Sequence, residues 1–199
     1  MLLRPADLAE STLYDLMIDI VLPRPIAMVS TLSADGIPNL APFSYFMTGG
    51  SNPPSVLYSP TQNKDLSEKD SFVNAKATGE FVLHVVSLEM AASLKPTSVN
   101  YPNDFDEWTV AGLTPVPSQI VQPPRIQESP VALECRVHQI VEHGHGWGAA
   151  RYVIGEVLLV HIHEGLWNED ANRLHPLPLV GRFGGNAYGD LQKLRLIEI

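Results

Sequence analysis

The sequence has one cysteine, Cys135, so it cannot form an intrachain disulfide, and a reducing cytoplasm is the expected location. It contains no run of 18 apolar residues that would predict a membrane span, and no signal peptide is expected. Positive charge is scarce, because 13 Lys and Arg residues against 22 Asp and Glu residues give a net charge of −9. Such a chain is not expected to bind nucleic acid or an anionic membrane. A small anionic ligand would need a local site of cations or backbone N–H groups.

What the sequence does contain favours one β-rich domain. Hydrophobic residues make up 45% of the 199 positions, enough for a substantial core, and 17 prolines exceed the usual share of about 5%. Many turns and short strands fit this excess better than a helical bundle does. We expect a single domain over residues 1–199, with an N-terminal helix and lead-in at 1–24, a long Pro-rich excursion at 95–130 and a C-terminal tail at 177–199.

The hydrophobic pattern predicts strands joined mainly by hairpins. Apolar spacings of three and four residues predict a short helix from Leu8 to Val21, capped by Asp7 or Ser11. Asp35-Gly36 predicts a tight hairpin turn. The predicted strands are 25–32, 37–47, 55–59, 80–86, 130–141 and 151–163, with a loop at 48–54. This pattern favours a mainly β fold with short helices, a closed antiparallel barrel, over a parallel doubly wound sheet.

Two short segments could contact a phosphate. Asp65 and Glu68 have capping-box spacing, which predicts that a helix begins there. The N–H groups and partial charge of its first turn, with Lys64 just before it, would attract an anion, although a solvated Lys beside an ordinary Asp cap explains the same spacing. Ser30 and Thr31 end an apolar strand and could donate to phosphate oxygens. The alternative is that these two residues pair with side chains of a neighbouring strand, as Thr and Ser often do in sheets.

A proline interrupts the second predicted strand. Because Pro42 cannot donate to a ladder, it marks an edge or a bulge. A bulge would free the N–H groups of Phe43 and Ser44 to bind a planar heterocycle, and the small side chains of Ala41 and Ser44 would let the ring approach. The alternative is an aromatic-rich core strand with one distorted edge.

Histidine and cysteine give no clear catalytic or metal site. His161 and His163 lie two apart on a predicted strand and face the same way, but a third ligand is not evident, so we expect no metal. His84 lies in an apolar strand and is expected to be a core or pocket residue. Cys135 is expected to pack rather than to act as a nucleophile. No catalytic residue can be assigned from these patterns.

Motifs spread over residues 12–190 carry a resemblance to a known family. They include Pro-Arg-Pro-Ile-Ala-Met-Val-Ser-Thr at 23–31, Asp-Gly-Ile-Pro-Asn-Leu-Ala-Pro-Phe-Ser-Tyr-Phe at 35–46, Asn-Lys-Asp at 63–65 and Val-Gly-Arg-Phe-Gly-Gly at 180–185. Together they resemble the flavin reductase-like family, whose members are FMN-binding split β-barrels of antiparallel Greek-key type. The resemblance therefore implies the same fold and an FMN cofactor.

The resemblance also implies roles for individual residues. The phosphate and ribityl chain of FMN would lie among Ser30, Thr31, Lys64 and Asp65. The isoalloxazine ring would lie along residues 39–45 and near Ser59, and the C-terminal tail would close the pocket. The implied cofactor-binding residues are Ser30, Thr31, Asn39, Ala41, Pro42, Phe43, Ser44, Tyr45, Ser59, Lys64, Asp65, Arg182, Gly185 and Tyr188. Leu66 departs from the family, which often has Thr or Ser there. Phosphate binding would then depend on Lys64, Ser30, Thr31 and backbone amides.

The implied activity is that of an FMN-dependent oxidoreductase. Hydride would pass from NADH or NADPH to the flavin, and electrons onward to free flavin, oxygen, a ferric chelate or a partner protein. No GxGxxG fingerprint appears, so the nicotinamide would bind without a Rossmann domain. A homodimer with the flavin near the subunit interface is implied as well. Two alternatives stay open: an FMN-containing electron carrier without NAD(P)H activity, and a barrel that has lost flavin, which Leu66 slightly favours.

Overall fold

The computed structural model describes residues 1–194, most of them in strands, turns and short helices. The helices are α1 (Glu10–Ile20), α2 (Asp70–Thr78) and α3 (Trp108–Ala111), with 3₁₀ turns at Pro5–Asp7, Ala91–Ser93, Pro96–Ser98 and Leu191–Lys193. The strands are β1 (Arg24–Pro25), β2 (Ala27–Leu32), β3 (Pro38–Phe43), β4 (Phe46–Ser51), β5 (Pro54–Tyr58), β6 (Glu80–Val85), β7 (Pro115–Val116), β8 (Arg125–Ile126), β9 (Val131–His143), β10 (Ala150–Ile162), β11 (Trp167–Asn168), β12 (Arg173–Leu174), β13 (Val180–Arg182) and β14 (Tyr188–Asp190).

Seven strands form one antiparallel sheet in the order β3-β2-β6-β9-β10-β5-β4. Its two edge strands, β3 and β4, are consecutive in the chain and are joined only by Ser44 and Tyr45. The sheet therefore curls until its edges approach each other, which gives a barrel that is split between β3 and β4. The mainly β, antiparallel split-barrel prediction is confirmed.

The link at Ser44-Tyr45 corrects one predicted strand. Residues 37–47 were expected to form one strand followed by a loop at 48–54, whereas the chain leaves β3 after Phe43 and starts β4 at Phe46. β3 pairs with β2, and β4 pairs with β5 at the other edge of the sheet. Tyr45, Phe46 and Met47 continue the apolar character of β3 past Ser44, so the sequence does not reveal that the chain changes edges.

The core occupies both faces of β2. Val29 points into the barrel, where it packs in a cluster with Tyr58 and Phe81, while Met28 points outward and packs under the excursion with Leu40. Successive side chains of a strand point to opposite faces, so burial on both sides explains why the three consecutive residues Ala27, Met28 and Val29 are all apolar. Trp108, Ile126 and Val180 complete the outer cluster. The excursion and the tail therefore cover the barrel wall.

Helix α1 confirms the predicted first helix, but neither predicted cap is used. Ala9 occupies its N-cap position, and no side chain caps the helix. α2 begins at Asp70 rather than at Asp65. The Asp65 carboxylate instead accepts from the N–H and hydroxyl of Ser67, at 3.0 and 2.6 Å, and closes a local turn. The capping-box prediction at residues 65 and 68 is therefore wrong.

Buried polar residues show why several chemically suggestive side chains serve the fold. His84 is fully buried between the carbonyl of Met28, at 3.0 Å, and the N–H of Ile126, at 2.9 Å, as expected of a core histidine. Cys135 is buried in the barrel, where burial, and then the charge of Glu134, raises the pKa of its thiol. This confirms a packing role.

His161 contacts a carboxylate rather than a metal ligand set. Its Nε2 lies 2.6 Å from Oε1 of Glu134, and residues 1–194 contain no group of three His, Cys, Asp or Glu side chains placed to hold a metal ion. Within the same residues no helix has the length and apolar character needed to cross a membrane. The tail residues 177–194 supply β13, which pairs with β1, and β14, which pairs with β13. The predicted extension of the tail to residue 199 lies outside the described residues.

Candidate functional site

A cavity of about 590 Å³ lies where the two edges of the sheet separate, within the usual range of roughly 300–1,000 Å³ for small-molecule sites. One wall is the end of β3 together with the link to β4, residues 42–45. The segment between β5 and α2 forms the opposite wall, through residues 59, 61–65 and 69. α1, the excursion, the β9–β10 turn and β13 complete the lining. The split in the barrel therefore creates the site.

The first end of the cavity is built around Ser44 and Tyr45. Both residues lie outside the β2–β3 and β4–β5 pairings, so their N–H groups are not committed to a ladder. The Tyr45 carbonyl accepts from the N–H of Ser59 at 2.8 Å. The Ser59 hydroxyl is buried and has no partner within the described residues. Because buried polar groups are normally paired, this hydroxyl can bind a ligand that fills the cavity.

Arg24 supports this end from behind. Arg24 is 3% exposed. Its guanidinium donates from Nε to Ser44 Oγ at 3.3 Å and from Nη1 to the carbonyls of Ile18 and Val21. These contacts join the end of α1 to the link. Burial, and next the neighbouring charge of Arg182, lowers the pKa of Arg24. Burial, followed by nearby Tyr14, raises the pKa of Tyr45, so its phenol stays neutral.

The second end carries lysines and aromatic rings. Lys64 Nζ lies 4.7 Å from the centre of the Trp147 ring, a cation–π contact, and the rings of Tyr14 and Trp147 are 5.6 Å apart. Lys69 donates to Asn100 Oδ1 at 3.3 Å, and burial lowers its pKa. This end therefore offers two ammonium groups on an acidic protein.

The balance of charge in the lining favours an anion. Lys64, Lys69 and Arg182 line the cavity, against the single carboxylate of Asp65. The Asp65 carboxylate is already engaged by Ser67, whose hydrogen bonds lower its pKa. Although the whole chain has a net charge of −9, the lining of this cavity is therefore positively charged. The local charge, not the net charge, decides whether a small anion binds in the cavity.

The tail residues meet at the same end as Ser44. Arg182 donates from Nε and Nη2 to the Gly185 carbonyl, at 3.0 and 2.7 Å, and its guanidinium lies 5.7 Å from the centre of the Tyr188 ring. Arg182 lines the main cavity and, with Tyr188, a smaller adjoining pocket. Gly185 lines neither and acts through its carbonyl, which orients Arg182.

The structure places some predicted residues outside the cavity lining. Ser30 and Thr31 are fully buried, and Thr31 Oγ1 accepts from the side-chain amides of Asn39, at 3.0 Å, and Asn74, at 3.1 Å. Asn39 and Ala41 line a pocket of about 80 Å³ that adjoins the main cavity. The hydroxyl of Thr31 therefore pairs across strands, and ligand contacts by Ser30 and Thr31 stay a prediction.

The helix N-terminus predicted at Asp65 is not there. Lys64 and Asp65 lie in an irregular segment, and the residue before α2 that faces the cavity is Lys69. Leu66, where the family often has a hydroxyl, is 61% exposed and does not line the cavity. The cationic groups at this end of the cavity are therefore side chains of this segment, not the first turn of a helix.

Several lining residues were not anticipated, and they come from distant parts of the chain. Tyr14 projects from α1, Asn100 from the excursion and Trp147 from the β9–β10 turn. An aromatic residue at the tip of a Gly-rich turn is the one local signal that could have pointed to Trp147. Nothing near Tyr14 or Asn100 in sequence indicates that they share a cavity.

Comparison with known proteins adds sequence and structural relatives. A family model described as "Flavin reductase like domain" matches residues 20–181. An uncharacterized protein of Halalkalibacterium halodurans is 37% identical over 191 residues, covering 95% of this chain and 91% of that one. One from Aquifex aeolicus is 36% identical, covering 89% of each chain.

Two solved structures are similar over nearly the whole chain. Nitrilotriacetate monooxygenase component B from Bacillus cereus is 29% identical with a TM-score of 0.91, covering 99% of this chain and 98% of that one. The 2-nitrobenzoate 2-nitroreductase of Pseudomonas fluorescens is 25% identical with a TM-score of 0.87, covering 100% and 96%.

Proposed function

This chain belongs to the flavin reductase-like family, and we propose that it is an FMN-dependent oxidoreductase that takes hydride from NADH or NADPH. Electrons would pass on to free flavin, oxygen, a ferric chelate or a partner protein. Family membership indicates a flavin cofactor, and its identity as FMN is part of the proposal. The observation that carries the proposal is the cavity at the barrel split, with uncommitted polar groups at one end and lysines at the other.

The residues present fit an elongated ligand with a polar ring and an anionic tail. At the ring end, the link offers N–H groups outside the ladders, and the buried Ser59 hydroxyl lacks a partner within residues 1–194. At the other end, Lys64 and Lys69 would bind a phosphate, because an ammonium group is a strong point charge and donor for phosphate oxygens. FMN combines these two chemistries in one molecule.

The protein's own contribution is position and charge. A bound flavin supplies the redox chemistry itself. Arg24 and Arg182, on the paired strands β1 and β13, place positive charge at the ring end and would stabilise negative charge there. Arg24 also holds Ser44 in place, while Lys64 and Lys69 would hold the phosphate. Hydride transfer needs no acid or base, so none is assigned.

The homodimer is supported by an outward apolar face. On β10, Tyr152 and Ile154 point away from the buried Val153, and Tyr152 is 39% exposed. Met47, on the edge strand β4, is 55% exposed. The β9–β10 turn at the end of this face carries Trp147, which lines the cavity. A dimer that buries the face would therefore bring the flavin near the interface, and sedimentation of the purified protein would test it.

Anaerobic reduction tests the proposed activity. The protein is loaded with FMN, freed of excess FMN and mixed with NADH or NADPH, while the visible absorption band of the flavin is followed. We expect bleaching much faster than that of the same amount of free FMN. Bleaching by dithionite but by neither nucleotide would favour the electron carrier. Failure to retain FMN at all would favour a barrel that has lost flavin.

A further inference from the structure

We propose that the partly buried ion pair of Glu68 and Arg151 is a positioning pair for the phosphate end of the cavity, an inference that rests on the proposed function. Arg151, on β10, donates from Nη2 and Nε to Glu68 Oε1 at 2.8 and 3.0 Å. The Arg151 side chain is only 3% exposed, and that of Glu68 is 26% exposed. Neither residue lines the cavity. Their effect on a ligand would act through the residues that they hold.

Arg151 fixes the segment between β5 and α2 against the β9–β10 turn. Besides Glu68, its guanidinium donates from Nη1 to the carbonyls of Ala150, at 3.0 Å, and Gly144, at 3.5 Å. Glu68 Oε2 is buried with no partner within residues 1–194, so the Glu68 charge depends on Arg151. A guanidinium with several fixed donors sets direction as well as distance. The pair therefore fixes how the segment sits against the turn.

A second tie joins the same two pieces of chain near Gln62. Its N–H donates to the Ala149 carbonyl at 3.0 Å, its carbonyl accepts from the Gly148 N–H at 3.1 Å, and its side chain accepts from the Gly146 N–H at 2.9 Å. Lys64 lies between this tie and Glu68. The turn carries Trp147, the ring that Lys64 covers. Two ties thus bracket the lysine proposed to bind phosphate.

Loss of the pair should free one end of this bracket. Lys64 would then sample positions away from the phosphate, whereas Ser44 and Ser59, at the ring end, are held by contacts that do not involve Arg151. FMN and riboflavin share the ring and differ in the phosphate. The positioning role therefore predicts a loss that FMN shows and riboflavin does not.

For the variant Glu68→Leu, an argument from charge alone and an argument from positioning predict opposite changes in FMN affinity. Glu68→Leu removes a negative charge from the neighbourhood of the proposed phosphate, so simple electrostatics would strengthen FMN binding. Positioning predicts weaker binding. The Kd values for FMN and riboflavin, measured by fluorescence titration of the flavin-free protein, distinguish the two.

We expect Glu68→Leu to bind FMN roughly tenfold more weakly, the equivalent of one charge-assisted hydrogen bond, with riboflavin affinity changed by less than about twofold. Lys76→Gln is the matched control. It breaks the exposed ion pair, at 2.7 Å, between Lys76 on α2 and Glu142 on β9. Because the Glu68–Arg151 pair is kept, both Kd values should stay unchanged. FMN affinity that is unchanged or higher in Glu68→Leu would overturn the inference, and so would an equal loss for both flavins.

Glu68→Leu leaves the buried Arg151 with only the more distant carboxylate of Glu142, whose Oε2 lies 3.9 Å from Arg151 Nε, and this loss can prevent folding. The double variant Glu68→Leu/Arg151→Met answers this, because it keeps the net charge and replaces the pair with apolar side chains of the kind that often preserve stability. The double variant should fold, and its affinity for FMN should still be lower than that of wild type, while its affinity for riboflavin stays nearly unchanged. If its FMN affinity returns to the wild-type value, the pair serves stability only and the inference fails. A wild-type protein that binds neither flavin would refute the proposed function before any variant is compared.

Discussion

Replacement of Glu134 by Gln should destabilise the protein through the excursion that it holds. Glu134, on β9, is fully buried, and its carboxylate accepts four hydrogen bonds. Oε1 accepts from the Gln119 N–H at 2.8 Å and contacts His161 Nε2 at 2.6 Å. Oε2 accepts from the N–H groups of Ile120, at 2.6 Å, and Val121, at 3.1 Å. One carboxylate thus anchors a whole turn of the excursion to the sheet.

The size of the effect follows from these four bonds. A Gln side chain keeps one acceptor oxygen and places an NH₂ group where the other oxygen was. If the oxygen faces Ile120 and Val121, the N–H of Gln119 faces another donor and is left unsatisfied, which costs about 1–3 kcal/mol. The remaining bonds lose their charge-assisted strength as well. We expect a total of about 3 kcal/mol, a large share of the roughly 5–15 kcal/mol by which domains are stable.

Urea denaturation at neutral pH measures this change in the free energy of unfolding. Glu128→Gln is the control, because Glu128 also accepts from a backbone N–H of the excursion, that of Thr114 at 3.0 and 3.1 Å, but is exposed to solvent. Its loss should cost less than about 1 kcal/mol. A Glu134→Gln cost no larger than that of the control would refute the anchoring argument.

Three further predictions concern the site and the core. Lys64→Ala should weaken FMN binding about fivefold and leave riboflavin binding unchanged; the loss is modest because Lys64 is solvent-exposed and its charge is partly screened. Calorimetric titration checks this, and an unchanged Kd for FMN would show that Lys64 does not bind the phosphate. Burial lowers the pKa of His84 to about 3, against about 6.5 when unfolded, so the unfolded chain alone takes up a proton between those pH values. Stability should then fall by about 1.4 kcal/mol per pH unit as the pH drops from 6.5 towards 3, and His84→Gln should remove that part of the slope in urea titrations. Gly155→Ala should cost about 1–3 kcal/mol, because its new methyl group would collide with the ring of Phe81; a melting temperature equal to that of wild type would contradict this.

The strands could be predicted because each carries its own local signal. The hairpin at Asp35-Gly36 and the long pair β9–β10 follow from alternating apolar residues and turn residues. The break after Phe43 was missed because the next residues, although they pair at the opposite edge of the sheet, continue the same apolar pattern. Edge changes are set by closure of the whole barrel, which no short window of sequence contains.

The false helix start shows a different limit. Asp65 and Glu68 have the spacing of a capping box, but each finds a better partner. Asp65 bonds to Ser67 two residues on, and Glu68 reaches Arg151, a residue distant in sequence. The capping-box spacing takes into account only partners that are close in sequence. The contact between Glu68 and Arg151 depends on the position of β10 in the folded sheet, so the spacing cannot predict it.

Most residues predicted near Ser44 do line the cavity, whereas only some of those predicted near Lys64 do. Pro42 was expected at an edge or a bulge, and it lies in the edge strand β3 and lines the cavity, as Lys64 does. Ser30 and Thr31 were expected beside the phosphate but are buried outside the lining. Their hydroxyls follow an apolar strand, and sequence alone cannot say which face of a doubly buried strand meets a ligand.

Equilibrium titration with FMN tests the central claim most directly, namely that the cavity at the barrel split is a flavin site. Flavin-free protein is titrated while FMN fluorescence is followed, alongside Ser59→Phe, a variant that places a ring in the cavity beside Tyr45. We predict saturable quenching at one FMN per chain in the wild type, lost in a Ser59→Phe protein that melts as wild type does. Wild-type protein without saturable binding, or a folded Ser59→Phe variant that binds FMN equally well, would contradict the account.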